Sequence, residues 1–188
     1  MKKIEDIITY QTNTWPAYQE METTTNDYIA GFLEHIYKKG NMTEVLIIME
    51  KFHQCGGVGH VVLISICSLI DSISAYYTGG GKVGYRFTGY ISKYFPTNYA
   101  GKEDDIYKAF RCDGVHGWNL HKSSISGVPN DGEHLTIYEN KVIHLSLYDF
   151  FNDLIKSFDK YLAELRVDDN LKKNFLKRYK EIRDIQEA

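Results

Sequence analysis

The chain has 188 residues, is 43% hydrophobic and carries 22 Lys and Arg against 25 Asp and Glu, a net charge of -3. That length allows one domain with a sizeable core, and the slight acidity argues against a protein that coats nucleic acid over its whole surface. Three cysteines, Cys55, Cys67 and Cys112, match neither a zinc spacing nor a disulfide framework, so they read as thiols of a reducing compartment.

Residues 1–23 open with MKKIEDIITY, where Glu5 and Asp6 interrupt the apolar run a secretory signal needs, so a cytoplasmic location is expected. With Trp15-Pro16 and no clean period, this part is expected to be an arm or a short helix. Tyr28, Ile29, Phe32, Leu33, Ile36 and Tyr37 then give Asn26 to Lys39 the stripe of a core-facing helix, with Asn26 as N-cap and Gly40 as stop. Asn41 and Glu44 fit a capping box for a helix from Met42 to Gln54, ended by Gly56-Gly57. So short a join predicts two antiparallel helices.

Val58 to Tyr77 is apolar nearly all round, the profile of a central helix. Its strongly apolar part, Val58 to Ile70, falls short of the about 20 residues a membrane span needs, so no membrane association is expected. Asp71 is its one ionisable acid. A buried carboxylate needs a cation or several donors, and Arg111 is the first partner to propose; on the alternative reading, Asp71 lies on an exposed edge with Ser68, Ser72 and Ser74. Thr78 to Gly84, TGGGKVG, looks like a phosphate-cradling loop but lacks the earlier glycine and the following Ser or Thr of a Walker motif. It reads as a flexible turn. Tyr85 to Phe95 follows as a helix stopped by Pro96, with Phe87, Tyr90, Ile91, Tyr94 and Phe95 inward. Arg86, Lys93 and the tyrosine hydroxyls could form a basic aromatic surface for single-stranded nucleic acid, or the tyrosines could simply sit half in a core.

Lys102 to about Asp113 reads as a helix with Glu103, Asp104 and Asp105 favourably placed in its first turn. It delivers Arg111 and His116, five apart in IYKAFRCDGVHGWNL. A guanidinium is a permanent cation with a forked donor set for phosphoryl oxygens, and an imidazole exchanges a proton near neutral pH. Together they suffice for phosphodiester cleavage. On an uninterrupted helix they would point about 140° apart, so a distortion near Gly114 and Gly117, or pairing of two copies, must bring them together. From Lys82 to Lys122, seven Lys and Arg face four acids, a local +3 that leaves -6 elsewhere.

Gly117 to Glu133 reads as a loop, and His134 to Leu147 as a β-hairpin turning at Glu139-Asn140-Lys141. Asp149 to Leu165, capped by Ser146, and Asp169 to Ile185 are predicted helices, the last with a run of Lys and Arg read as a solvated face. Seven histidines show no zinc spacing, and a nucleophilic pairing of Cys112 with His116 or His121 lacks an identifiable orienting residue. No metal or other cofactor is expected.

A chain of antiparallel helices with an Arg, four residues and a His near the end of one of them resembles the HEPN superfamily, the higher eukaryote and prokaryote nucleotide-binding helical proteins. The stretches LIDSISAYYTGG, YKAFRCDGVHGW and LYDFFNDLIKSFDKYL look like an uncharacterised bacterial and archaeal branch of it. The resemblance implies a mainly α, antiparallel helical bundle over residues 24–166 with one small β-hairpin at 134–147, flanked by the arm at 1–23 and a C-terminal helix at 167–188. It also implies a metal-independent endoribonuclease of toxin or antiphage defence systems, a homodimer in which Arg111 and His116 act on single-stranded RNA or bind a nucleotide. In such a site Asp71 would orient Arg111, and Tyr107 or Lys108 would position the backbone. In the family a polar residue often follows the Arg directly; here Cys112 stands there and Asp113 comes one later. Two alternatives compete: a non-catalytic dimer that binds a nucleotide or an unidentified partner protein, and a structural ion pair of Arg111 with Asp71 or Asp113.

Overall fold

A computed structural model describes residues 15–52, 58–114, 120, 123–128, 130 and 132–187. They are mainly helical: α1 (Tyr18–Thr23), α2 (Asn26–Leu33), α3 (Met42–Phe52), α4 (Gly59–Thr78), α5 (Val83–Tyr94), α6 (Glu103–Ile106), α7 (Leu147–Leu165) and α8 (Asp169–Glu187). Two short strands, β1 (Ser123–Ser126) and β2 (Ile143–Ser146), complete the regular structure. The stretches Glu34–Asn41, between α2 and α3, and Tyr107–Gly114, after α6, are π-helical.

The apolar run in the middle of the sequence becomes α4, and the rest packs on it. Val62, Leu63, Ile66, Ile70, Ile73 and Tyr76 are buried along its length, each such side chain contributing about 1.5–3 kcal/mol on leaving water. α3, α5, α7, α8 and the second π-helical stretch all touch it. By length and composition α4 could cross a membrane, but 56% of its most apolar window is buried inside the protein. Gly79 ends it with left-handed backbone at φ 70°, and the Gly80 N–H reaches back to the Ala75 carbonyl at 2.9 Å, the bond that a helix stop of this kind supplies. α8 belongs to the same core. Its Phe175 is fully buried and stacks on Tyr76 with ring centroids 5.1 Å apart, and Tyr179 stacks on Trp15 at 5.7 Å.

The first helical pair differs from the sequence expectation. The N-cap is Thr25, whose hydroxyl accepts the Tyr28 N–H at 3.2 Å, and Asn26 is already inside the helix. Gly40 does not stop it. The backbone stays right-handed from Leu33 to Met42, and the Met42 N–H bonds to Tyr37 five residues back, so α2 and α3 are joined by a π-helical bridge where two helices around a tight turn were expected. The opening decapeptide and the Gly56-Gly57 stop lie outside the described residues; within residues 15–23, Tyr18–Thr23 form the short helix α1.

The expected hairpin is only partly formed. A 3-10 turn at Glu139–Lys141 is present, and the Tyr138 N–H bonds to Val142 at 2.8 Å and the His144 N–H to Thr136 at 2.9 Å. The regular pairing of β2, however, is parallel, with β1 in the register Ser123 to Ile143 through Ser126 to Ser146. β1 comes from the stretch read as loop, since SSIS has too few apolar residues to announce a strand. Leu135, with left-handed backbone at φ 65°, interrupts the first hairpin arm. β2 runs directly into α7, whose cap is as read: the Ser146 hydroxyl accepts the Asp149 N–H at 3.2 Å.

Candidate functional site

Asp71 lies past the midpoint of α4, and the π-helical stretch after α6 brings Arg111 against it. Arg111 Nε donates to Asp71 Oδ2 at 2.6 Å, the pairing that the sequence proposes for a buried carboxylate. The side chains are 17% and 13% exposed, so the pair is mostly buried and does not stand free on the surface. Asp71 Oδ1 is buried with no hydrogen-bond partner among the described residues. One residue along α4, Ser72 meets the hydroxyl of Tyr37 from the other π-helical stretch. Both irregular stretches therefore deliver a polar group to adjacent residues of the central helix, a placement that π-bulges often take at functional sites.

The π-helical winding bears on the Arg-x4-His spacing. Closing hydrogen bonds five residues back widens each turn beyond 3.6 residues, so residues five apart come nearer to one face than on an α-helix. The distortion expected near Gly114 thus begins more than a full turn earlier, at Tyr107. His116 itself lies outside the described residues. Gly114 is buried, and a Cβ there would stand 3.0 Å from Leu63 Cδ2, so a glycine lets this turn press onto α4.

Tyr107 joins the pair. Its ring lies 5.4 Å from Phe87 and against Gly84, where a Cβ would come within 3.1 Å of it. Burial first, and then the Cys112 thiol beside it, push its hydroxyl above the ordinary tyrosine range. Cys67, one turn before Asp71 on α4, is fully buried, and burial followed by the Asp71 carboxylate keeps its thiol protonated far above the usual range. The side chains of Lys108 and Asp113, expected to support the site, are exposed and make no ion pair or hydrogen bond among the described residues. They sit on the outward side of a stretch whose inward side holds Ala109, Phe110 and Arg111.

Arg86 approaches Asp71 from α5 by a different route. Its Nε donates to the Asp71 backbone carbonyl at 3.3 Å and its Nη1 to the Gly81 carbonyl at 2.8 Å. Burial first lowers its pKa from the usual value, and the neighbouring Arg178 and Arg111 lower it further against the pull of Asp71. The sequence offered Arg86 only as part of a basic surface. A signal for the fuller cluster did exist: Cys67 and Asp71, like Tyr107 and Arg111, are four apart and share a face of their segments.

A second polar cluster sits elsewhere. The Tyr99 hydroxyl bonds to His134 Nε2 at 2.8 Å and donates to Asp153 Oδ2 at 3.1 Å, while His134 Nδ1 accepts the Ser146 N–H at 3.2 Å. These groups satisfy one another and tie the segment before β2 to α7. Among the described residues no three His, Cys, Asp or Glu side chains gather as a metal site would require.

Comparison of the chain with protein-family models, characterised proteins and solved structures returns no significant match. The site must therefore be argued from its own geometry.

Proposed function

We propose that the chain is a HEPN-like antiparallel helical bundle that works as a homodimeric, metal-independent endoribonuclease in a toxin or antiphage setting. The observation that supports this reading is the 2.6 Å contact by which Asp71 grips Arg111 through Nε, fixing a guanidinium in the segment that leads to His116. A preorganised cation costs no reorganisation when charge develops beside it. In the reaction, His116 takes the proton of a ribose 2'-hydroxyl as its oxygen attacks the adjacent phosphorus. Arg111 neutralises the charge that builds on the phosphoryl oxygens, the bond from phosphorus to the 5'-oxygen breaks as that oxygen takes a proton from water, and a 2',3'-cyclic phosphate remains.

The test is incubation of the purified protein with labelled single-stranded RNA in EDTA. Cleavage is expected in the parent chain and is lost by about a hundredfold or more in Arg111→Ala and His116→Ala, with helix content unchanged. Full activity in both variants removes the proposal.

A second reading has one observation in its favour: Arg111 is mostly buried and its charge is already balanced by Asp71. On that reading the bundle is a non-catalytic dimer that binds a nucleotide or a partner protein. Thermal stabilisation by nucleotides, with no RNA cleavage at any protein concentration, would decide for it.

A further inference from the structure

The TGGGKVG turn is surrounded by more positive charge than the protein balances. Gly79, Gly80 and Gly81 all have positive φ, at 70°, 99° and 100°, so the chain bends sharply here between α4 and α5. Asn174 and Glu181 of α8 pack directly on Gly79 and Gly80, while Gly81 faces open space. A continuous set of contacts then runs around the turn. Arg178 Nη1 bonds to Glu181 Oε2 at 3.0 Å, and Glu181 lies on Gly80. Arg86 Nη1 bonds to the Gly81 carbonyl at 2.8 Å and its Nε to the Asp71 carbonyl at 3.3 Å, and Arg111 closes the set on the Asp71 carboxylate at 2.6 Å.

Three guanidiniums meet two carboxylates in this set, and Lys82, exposed and directly after Gly81 in the chain, adds a fourth cation, so that two positive charges are left over. The partners of Arg86 are carbonyls, which occupy donors without cancelling charge. No hydrogen bond to a described residue uses Arg86 Nη2, and Arg178 Nε is buried with no acceptor among the described residues. An arginine cannot relieve this by losing its proton. Burial first lowers the pKa of Arg86, Asp71 opposes it, and Arg178 and Arg111 lower it further, in keeping with the surplus of positive charge in these contacts.

We propose that Arg86, Arg178 and Lys82, around the Gly79–Gly81 turn, form a binding site for a phosphate group. A tetrahedral oxyanion of charge up to two suits two guanidinium forks and an ammonium, and it would cancel the two surplus charges. Glu181 holds Arg178 in its absence and gives way when it binds. The site uses neither His116 nor any bond-breaking step, so it stands or falls apart from the ribonuclease reading.

The experiment is calorimetric titration of the full chain with inorganic phosphate, against sodium chloride at matched ionic strength. Adenosine 5'-monophosphate, adenosine and a short oligoribonucleotide follow as separate arms. Phosphate and the monophosphate should bind and adenosine should not. Equal affinity for the monophosphate and the oligoribonucleotide marks a free nucleotide as the source of the group, and tighter binding of the oligoribonucleotide marks RNA. Arg178→Met should weaken phosphate binding by about tenfold or more, and Glu181→Gln should tighten it. No binding of phosphate beyond the chloride control, or binding unchanged in both variants, overturns the proposal. If Arg178→Met fails to fold, the sign of the Glu181→Gln effect decides alone, since Glu181 is partly exposed and its replacement is nearly isosteric.

Discussion

Two neighbouring regions handle buried polar atoms in opposite ways. Between α4, α5 and α7, Tyr77, Tyr90, Tyr94 and Tyr161 pack ring against ring, with centroids 5.0 Å apart for Tyr90 and Tyr94 and 6.3 Å for Tyr77 and Tyr161. The Tyr90 hydroxyl has Ser157 at 3.4 Å, while that of Tyr161 has no partner among the described residues. Burial answers both by holding the hydroxyls protonated well above their ordinary range, so nothing charged is trapped. Around the C-terminal end of α4 the corresponding groups are half-buried guanidiniums, which stay charged at any physiological pH. There the missing partner must come from a carboxylate or from outside the chain. Neutral orphans are a stability cost; charged ones also point to a ligand.

Cavity formation gives the largest effect and probes the first region. Phe158 is fully buried, 5.7 Å from the Tyr37 ring and 6.3 Å from that of Tyr161. Phe158→Ala should lower stability by about 3–5 kcal/mol in urea unfolding. A loss below about 1 kcal/mol would mean that the aromatic region is not packed as described.

Next comes the ion pair. Asp71→Ala leaves the mostly buried Arg111 without its carboxylate and should cost about 2–3 kcal/mol, somewhat under the figure for a fully buried pair because both side chains keep some exposure. The double variant Asp71→Leu with Arg111→Met should recover most of that loss. Equal losses in the single and double variants would show that the pair is not coupled, and the contrast drawn between the two regions would fail.

Much of this arrangement is legible in the sequence. α5, α7 and α8 appear because their apolar residues repeat at helical spacing and α4 because it is apolar nearly all round, and one of the two readings of Asp71, its partnership with Arg111, follows from the cost of burying a lone carboxylate. The π-helical stretches do not appear. Whether a turn closes four or five residues back is decided by packing onto α4, and nothing in EHIYKKGN or YKAFRCDG announces it. Gly40 illustrates the consequence, a residue with the chemistry of a stop inside a continuous right-handed path. Arg178 was hidden differently. It stands in a run of lysines that looks like a solvated face, and the close approach of Asn174 to Gly79 and of Glu181 to Gly80 shows that this side of α8 meets the glycine turn.

A smaller effect of opposite sign sharpens the contrast. If the Tyr161 hydroxyl is a neutral orphan, Tyr161→Phe removes a desolvated group and leaves the ring contacts in place. Stability should rise by up to about 1 kcal/mol or stay unchanged. A loss of more than that would identify a hydrogen bond that this hydroxyl makes in solution.

The smallest effect lies at the rim of the aromatic region, where charge is paired and titratable. Glu164 accepts Lys93 Nζ at 2.6 Å and the Tyr94 hydroxyl at 2.7 Å, while the same ammonium lies 5.1 Å from the centre of the Tyr94 ring. The Lys93 bond first, and then the tyrosine, hold the Glu164 carboxyl below its ordinary value of 4.5. A carboxylate whose folded pKa is depressed lends stability above its unfolded pKa and loses it as pH falls through the folded one. Unfolding free energy should therefore drop as pH falls below about 4.5, less steeply in Glu164→Gln, and by under about 1 kcal/mol because the pair is partly exposed. An identical acid profile in parent and variant would mean that Glu164 contributes nothing there. The arginine cluster can show no such titration of its cations, because its guanidiniums keep their protons throughout and only the carboxylates opposite them respond to acid.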